Sequence, residues 1–168
     1  MNKQIFGFAG LSGVGKTLLE DIVAWFRIEG YAVSVVKHSH HAFDLDQPGK
    51  DSYRMREAGA QEVALVGAQR WVLMQEFRGV PEPPLEKLIE RLSPCDVVFV
   101  EGYKTTVIPK IEIFRPSLGR PPLWPDHKHI VAVASDEVLS TDRPVLDLND
   151  TPGVATFIRD YLSLPRGR

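Results

Sequence analysis

Glycines, a lysine and a threonine near the amino terminus form a pattern that could bind phosphate. The residues run Gly10-Leu11-Ser12-Gly13-Val14-Gly15-Lys16-Thr17 and match G-x-x-x-x-G-K-[ST], the P-loop. Glycine lets the backbone turn so that successive N–H groups point at one anion. Lys16 would bring a positive charge to the phosphates, and the Thr17 hydroxyl would ligate Mg²⁺. Within this stretch the predicted nucleotide contacts are Gly10, Leu11, Ser12, Gly13, Val14, Gly15, Lys16, Thr17 and Leu18.

The segments on either side of this loop are those that a P-loop requires. An apolar run, Ile5 to Ala9, comes before it and predicts a buried strand. After it, apolar residues recur at helical spacing from Leu18 to Phe26, and Gly30 is placed to end that helix. Ala32 to Val36 predicts a second strand. Strand, loop, helix and strand form a βαβ unit, which implies parallel pairing and a right-handed crossover.

The rest of the chain continues the alternation of strand and helix, with one exception. Glu62 to Val66 and Arg70 to Phe77 are β-rich and are separated by a glycine-containing turn, so they predict an antiparallel hairpin. The predicted fold is α/β and P-loop NTPase-like: a mostly parallel sheet with helices on both faces. Residues 1–168 would form a single domain, and the hairpin, at about 61–78, would be an extension of the main sheet.

Polar residues follow several of the predicted strands. In an open α/β sheet the ligand lies beyond the carboxyl ends of the strands. Glu101 ends the apolar run that begins at Val97 and is the candidate acid that orients Mg²⁺. Its alternative is a carboxylate in solvent or paired with a lysine such as Lys104. His38, which follows the second strand, and Asp136, which follows the run from Ile130, are further predicted nucleotide contacts.

The polar segment from Lys37 to Lys50 predicts a loop with three possible meanings. Beside the phosphates, an aspartate such as Asp46 could approach Mg²⁺, while Lys50 or Arg54 could bind a phosphate or a second substrate. Its histidines, His38, His40 and His41, could instead bind a transition metal. The third possibility is a solvated loop without chemistry.

The sequence does not decide which residues select the base. The guanine-specific N-K-x-D motif is absent from the sequence. Asp136 and Asp147 could each accept hydrogen bonds from guanine, and either could be an ordinary loop acid.

Composition narrows the class of partner. The chain has 168 residues, a net charge of -2 and a single cysteine, Cys95. This balance gives no electrostatic reason to expect a nucleic-acid or membrane partner. One cysteine fits a reducing compartment, and the amino terminus carries neither a signal peptide nor a spanning segment, so we expect a cytoplasmic protein.

Several motifs together resemble the molybdopterin-guanine dinucleotide biosynthesis protein B family, known as MobB. The matching segments are residues 10–17, 37–54, 58–60, 101–104 and 109–112. The resemblance implies a homodimeric, GTP-binding protein with weak GTPase activity. It would assist the guanylyltransferase that joins GMP to molybdopterin, and molybdopterin itself is a further candidate ligand. By position, Lys16 and Glu101 would be the catalytic residues, and Thr17 and Glu101 the Mg²⁺ ligands.

Two other functions remain compatible with the residues alone. A P-loop kinase for a small metabolite would use the loop at 37–54 as its acceptor site, with Arg115 and Arg120 as a sparse lid over the phosphates. A metallochaperone GTPase would use the clustered histidines.

Overall fold

The computed structural model describes residues 3–10, 16–39, 43–165 and 167, and of Lys16 it describes the backbone alone. The chain divides into two compact units. Residues 1–38 and 89–168 form the first unit, and residues 39–88 form the second.

The described elements follow one another in a pattern close to the predicted one. In chain order they are β1 (Gln4–Gly10), α1 (Lys16–Ile28), β2 (Val33–Lys37), α2 (Asp51–Glu57), β3 (Glu62–Val66), β4 (Trp71–Gln75), α3 (Leu85–Arg91), β5 (Val97–Glu101), β6 (Lys110–Phe114), a 3-10 turn (Pro116–Leu118), β7 (Ile130–Ser135), β8 (Val145–Asp147) and α4 (Thr151–Tyr161).

The first unit contains a six-stranded sheet in the order β2-β5-β1-β6-β7-β8. Each neighbouring pair of strands is parallel. The predicted α/β fold with a mostly parallel sheet is therefore confirmed, and the strands all end at the same edge. β5 lies between β2 and β1, and its first four residues are buried, as expected for a strand covered on both faces.

Aromatic residues join β1, β5 and α1 in one hydrophobic core. Phe99 of β5 is fully buried, and its ring centroid lies 5.5 Å from that of Phe8 and 5.1 Å from that of Phe26. Both ring pairs are edge to face, an arrangement that aromatic side chains favour. The apolar face of α4, with Val154 and Ile158, is part of the same cluster. The helical spacing in the sequence thus buries one face of α1 against the sheet.

The second unit contains the predicted hairpin, which forms a two-stranded sheet of its own. β3 and β4 pair antiparallel from Glu62 with Gln75 to Val66 with Trp71. The prediction of a hairpin was right, but its placement as an extension of the main sheet was wrong. The strands pair with each other, and Val63 turns inward as a buried residue of this unit. The adjoining α2 begins at Asp51, and Lys50 occupies its N-cap position.

We predict that replacing Phe99 with alanine lowers the free energy of unfolding by about 3 to 5 kcal/mol, because a large ring is removed from a packed core. Val138→Ala, at a fully exposed position, is the control and should change it by less than about 0.5 kcal/mol. Urea denaturation followed by circular dichroism measures both. Similar losses in the two variants would contradict this account of the core.

Candidate nucleotide-binding site

Gly10 is the last residue of β1 and must be a glycine. Its φ is +145°, and a Cβ atom built on it would lie 2.7 Å from the backbone oxygen of Ile113. A side chain cannot fit there, because the obstructing atom belongs to the neighbouring strand and cannot move aside. The first glycine of the predicted P-loop is thus explained by sheet packing. Leu11, Ser12, Gly13, Val14, Gly15 and the Lys16 side chain lie outside the described residues, so their predicted contacts stay predictions.

Two of the predicted nucleotide contacts, Thr17 and Leu18, lie in the first turn of α1 and differ in exposure. Thr17 is exposed, whereas Leu18 is buried in the hydrophobic core. The side chain of Leu18 therefore faces away from solvent, and only its backbone N–H could contribute to a phosphate site. Thr17 keeps an accessible hydroxyl at the amino end of a 13-residue helix, where the helix dipole favours an anion.

Glu101 lies at the carboxyl end of β5, between β1 and β2. It is level with Phe8 of β1 and with Lys37 of β2. Lys37 Nζ donates to Glu101 Oε2 at 2.7 Å, and the two side chains are 56% and 33% exposed. The sequence suggested Lys104 as the competing partner, but the parallel register selects Lys37. An exposed ion pair of this kind contributes at most about 1 kcal/mol, so its carboxylate is available at small cost.

His38 is held against the residues that follow Glu101. Its backbone N–H donates to the Glu101 carbonyl at 2.9 Å, and its ring centroid lies 4.7 Å from that of Tyr103. Gly102 makes this approach possible, because a Cβ there would come within 2.9 Å of the His38 Cβ. Gly102 and Tyr103 both have positive φ values, so the chain turns sharply after β5. The structure therefore brings His38 and Glu101 together.

Arg115 and Asp136 meet at the ends of β6 and β7. Arg115 Nη1 donates to Asp136 Oδ2, and the preceding residues Phe114 and Ser135 are register partners. Arg115 also lines a cavity of about 30 Å³ that reaches Gly10, the first residue of the predicted P-loop. Asp136 thus lies at the same edge of the sheet as Gly10, as its position after a strand predicted.

A buried carboxylate, Glu112, lines this cavity and was not identified from the sequence. Its Oε1 accepts from Leu123 N at 2.9 Å, and its Oε2 accepts from Trp124 N at 2.8 Å. Burial raises the pKa of Glu112, although these two N–H groups oppose the shift. The alternation Lys-Ile-Glu-Ile-Phe is the sequence pattern that could have identified Glu112, because it predicts a polar face on β6. Nothing in the sequence showed that the loop after Arg115 would cover that face.

Lys110, two residues earlier on the same face, is also buried. Its Nζ donates to the carbonyl oxygens of Thr106 and Ile108, the second at 3.3 Å. Burial lowers its pKa. The ammonium group fixes the turn before β6, and the adjacent Gly7 leaves space for its side chain, since a Cβ there would lie 2.7 Å from Lys110 Cγ.

In the second unit, Asp46 is bound by an arginine. Arg56 donates to both of its carboxylate oxygens, at 3.1 and 2.6 Å, and also contacts Asp44 and Glu76. The hydrogen bond from Arg56 lowers the pKa of Asp46, whose side chain is only 4% exposed. The predicted ligand Asp46 is therefore engaged in a structural pair. Lys50 and Arg54, which were predicted to contact phosphate, are exposed.

Among the described residues there is no group of three or more histidine, cysteine, aspartate or glutamate side chains that could hold a metal ion. His40 and His41 lie outside those residues. Within the described helices, none is long and apolar enough to cross a membrane.

Comparison with known proteins shows the family. Residues 5–136 match the family model for molybdopterin guanine dinucleotide synthesis protein B, MobB. The chain belongs to the MobB family. A protein named molybdopterin-guanine dinucleotide biosynthesis adapter protein from Escherichia coli (strain K12) is 40% identical over 97% of this chain and 95% of its own. A protein of the same name from Haemophilus influenzae is 41% identical over 96% and 92%.

Solved MobB structures agree with the fold. A crystal structure of molybdopterin-guanine biosynthesis protein B superposes with a TM-score of 0.75 over 94% of this chain and 99% of that one. At 22% identity this likeness supports the architecture only. The sequence matches establish MobB membership, and the site geometry described above belongs to a chain of that family.

We predict that Glu112→Gln changes the pH dependence of stability. Burial raises the folded-state pKa of Glu112 above the ordinary 4.5. The stability that Glu112 contributes through this shift is therefore fully present below its unfolded-state pKa. It is lost as the pH rises through the folded pKa. The stability of wild type relative to Glu112→Gln should therefore be greatest in acid and fall as the pH rises.

Urea denaturation at a series of pH values from roughly 4 to 7 measures this difference. Glu137→Gln, which alters an exposed carboxylate, is the control and should follow wild type. A difference between wild type and Glu112→Gln that does not vary with pH would refute the prediction.

Proposed function

We propose that this chain is a GTP-binding adapter of molybdopterin guanine dinucleotide biosynthesis. It would bind GTP and Mg²⁺ at the P-loop, hydrolyse GTP slowly, and assist the guanylyltransferase that attaches GMP to molybdopterin. The observation that carries the proposal is the adjacency of β1 and β5, which places Glu101 beside the strand that ends at Gly10. Membership of the MobB family supports a role in this biosynthesis, and the name of the relatives supports the role of an adapter.

In this proposal residues of α1 and β5 would hold the metal. The Thr17 hydroxyl would be one ligand and Glu101 would act directly or through water, which is the usual arrangement for Mg²⁺ beside a P-loop. Lys16 would stabilise negative charge on the phosphates. Glu101 would exchange its exposed pairing with Lys37 for the metal. Slow hydrolysis is expected, because neither an arginine finger nor a catalytic glutamine is evident in the sequence.

The partner molecules follow from the same proposal. The guanylyltransferase and GTP are the principal partners, molybdopterin is a further candidate ligand, and the setting is the cytoplasm. We also propose a homodimer formed through the hairpin. Its outer face carries Val66, Trp71 and Leu73, which are 75%, 68% and 40% exposed. In the described part of the chain this sheet has two strands, and its apolar outer face is a surface that a second copy could cover.

We predict that Lys16→Ala lowers GTP affinity by roughly 10- to 100-fold, because a charge-assisted hydrogen bond contributes about 1.5 to 3 kcal/mol. Glu101→Gln should lower affinity in the presence of Mg²⁺ and have little effect in EDTA, since it acts through the metal. Isothermal titration of GTP measures both. Lys128→Ala, an exposed lysine, is the control. If wild type and Lys16→Ala bind GTP equally, the proposed site is wrong.

We predict that Leu73→Asp converts a dimer into a monomer, because it places a charge on the apolar outer face of the hairpin. Sedimentation equilibrium of the full chain measures the molar mass. Met55→Asp is the matched control: it makes the same kind of change at a residue of α2 that is 56% exposed. A monomeric wild type, or dissociation by both variants, would argue against the hairpin as the interface.

A further inference from the structure

The strand order leaves two directions in which a nucleotide could extend from the P-loop. On one side of β1 lie β5 and β2, with Glu101 and Lys37 at their ends. On the other side lie β6, β7 and β8, with Arg115 and Asp136 following the first two. The first side holds the acid proposed for the metal, which belongs with the phosphates. The base must therefore lie toward β7, and this step rests on the proposed function.

Arg115 follows β6, the strand that lies between β1 and β7. It lines the cavity that reaches Gly10, and its guanidinium donates to Asp136. β7 is two strands away from β1, which corresponds to about 10 Å at the usual strand spacing. The ribose and α-phosphate would span that interval. The cavity itself, at about 30 Å³, is too small for a base, so the base would lie across its mouth.

Hydrogen bonding distinguishes Asp136 from the other candidate, Asp147. Asp147 Oδ1 accepts from both the backbone N–H of Asn149 at 2.8 Å and its side-chain Nδ2 at 3.2 Å. That carboxylate is engaged in its own turn. Asp136 is held through Oδ2 by Arg115, and within the described part of the chain its Oδ1 accepts no hydrogen bond. Arg115 therefore orients Asp136, and no described residue occupies the remaining acceptor oxygen.

We propose that Asp136, oriented by Arg115, is the residue that selects guanine. Guanine presents two adjacent donors, the ring N1–H and the exocyclic 2-amino group, and a carboxylate can accept from both at once. Adenine presents an acceptor at N1, which a carboxylate repels. Arg115 is a positioning residue in this arrangement, because it holds Oδ2 with one N–H and leaves the second lone pair of that oxygen available.

The test is nucleotide titration of the full chain with GTP, xanthosine triphosphate (XTP) and inosine triphosphate (ITP). Xanthine carries a carbonyl where guanine carries the 2-amino group, so Asp136→Asn should exchange GTP preference for XTP preference through its amide donor. We expect GTP affinity to fall roughly 10- to 100-fold and XTP affinity to rise. Asp147→Asn is the matched control and should leave the XTP to GTP ratio unchanged.

Two further variants separate recognition from folding. Hypoxanthine lacks the 2-amino group, so wild type should prefer GTP to ITP, and Asp136→Ala should abolish that preference. Arg115→Met should weaken GTP binding without creating XTP preference. If wild type binds GTP but Asp136→Asn does not raise the XTP to GTP ratio, the assignment of Asp136 is wrong while the proposed function stands. If wild type binds no GTP, the proposed function itself fails.

Discussion

The backbone groups of β5 pair with β2 on one side and with β1 on the other, and the geometry of the site depends on this pairing. A buried strand must satisfy its N–H and C=O groups, so a parallel register, once formed, is difficult to shift. The register sets Glu101 level with Lys37 and with Phe8. It also brings the chain that leaves β1 at Gly10 to the same edge as the acid.

The predictable parts of the fold are those that the local spacing of apolar residues and turn residues indicates. The apolar run of β5, the helical spacing of α1 and the turn between β3 and β4 each need only their own residues to be recognised. The partner of Glu101 was not predictable, because Lys37 is distant in sequence and only strand order makes it a neighbour. The sequence did not predict that the hairpin forms a sheet of its own, for the same reason. The spacing of apolar residues predicts a strand, but it does not indicate which sheet the strand joins.

Burial of Glu112 shows how a nonlocal loop can invert the meaning of a pattern. Alternation on β6 is typical of a strand with one face in water, but the loop after Arg115 packs on Glu112 and Phe114 of that face. A buried carboxylate requires donors, and prolines have none on the backbone. Since positions 121 and 122 are both proline, Leu123 and Trp124 supply the first N–H groups after them, and these are the groups that Glu112 accepts from.

Asp46 and Glu101 are the two carboxylates that the sequence offers as candidates to approach Mg²⁺, and they differ in exposure and in hydrogen bonding. Asp46 is nearly inaccessible and accepts two hydrogen bonds from one guanidinium, a geometry that is among the stronger pairings between side chains. Glu101 has a single exposed lysine partner. A cation that recruited Asp46 would have to leave Arg56 with fewer partners inside the second unit. A cation that recruited Glu101 would release Lys37 into water, where an ammonium group is well solvated. The different consequences of the two exchanges therefore support the proposal that Glu101, and not Asp46, would be the Mg²⁺ ligand.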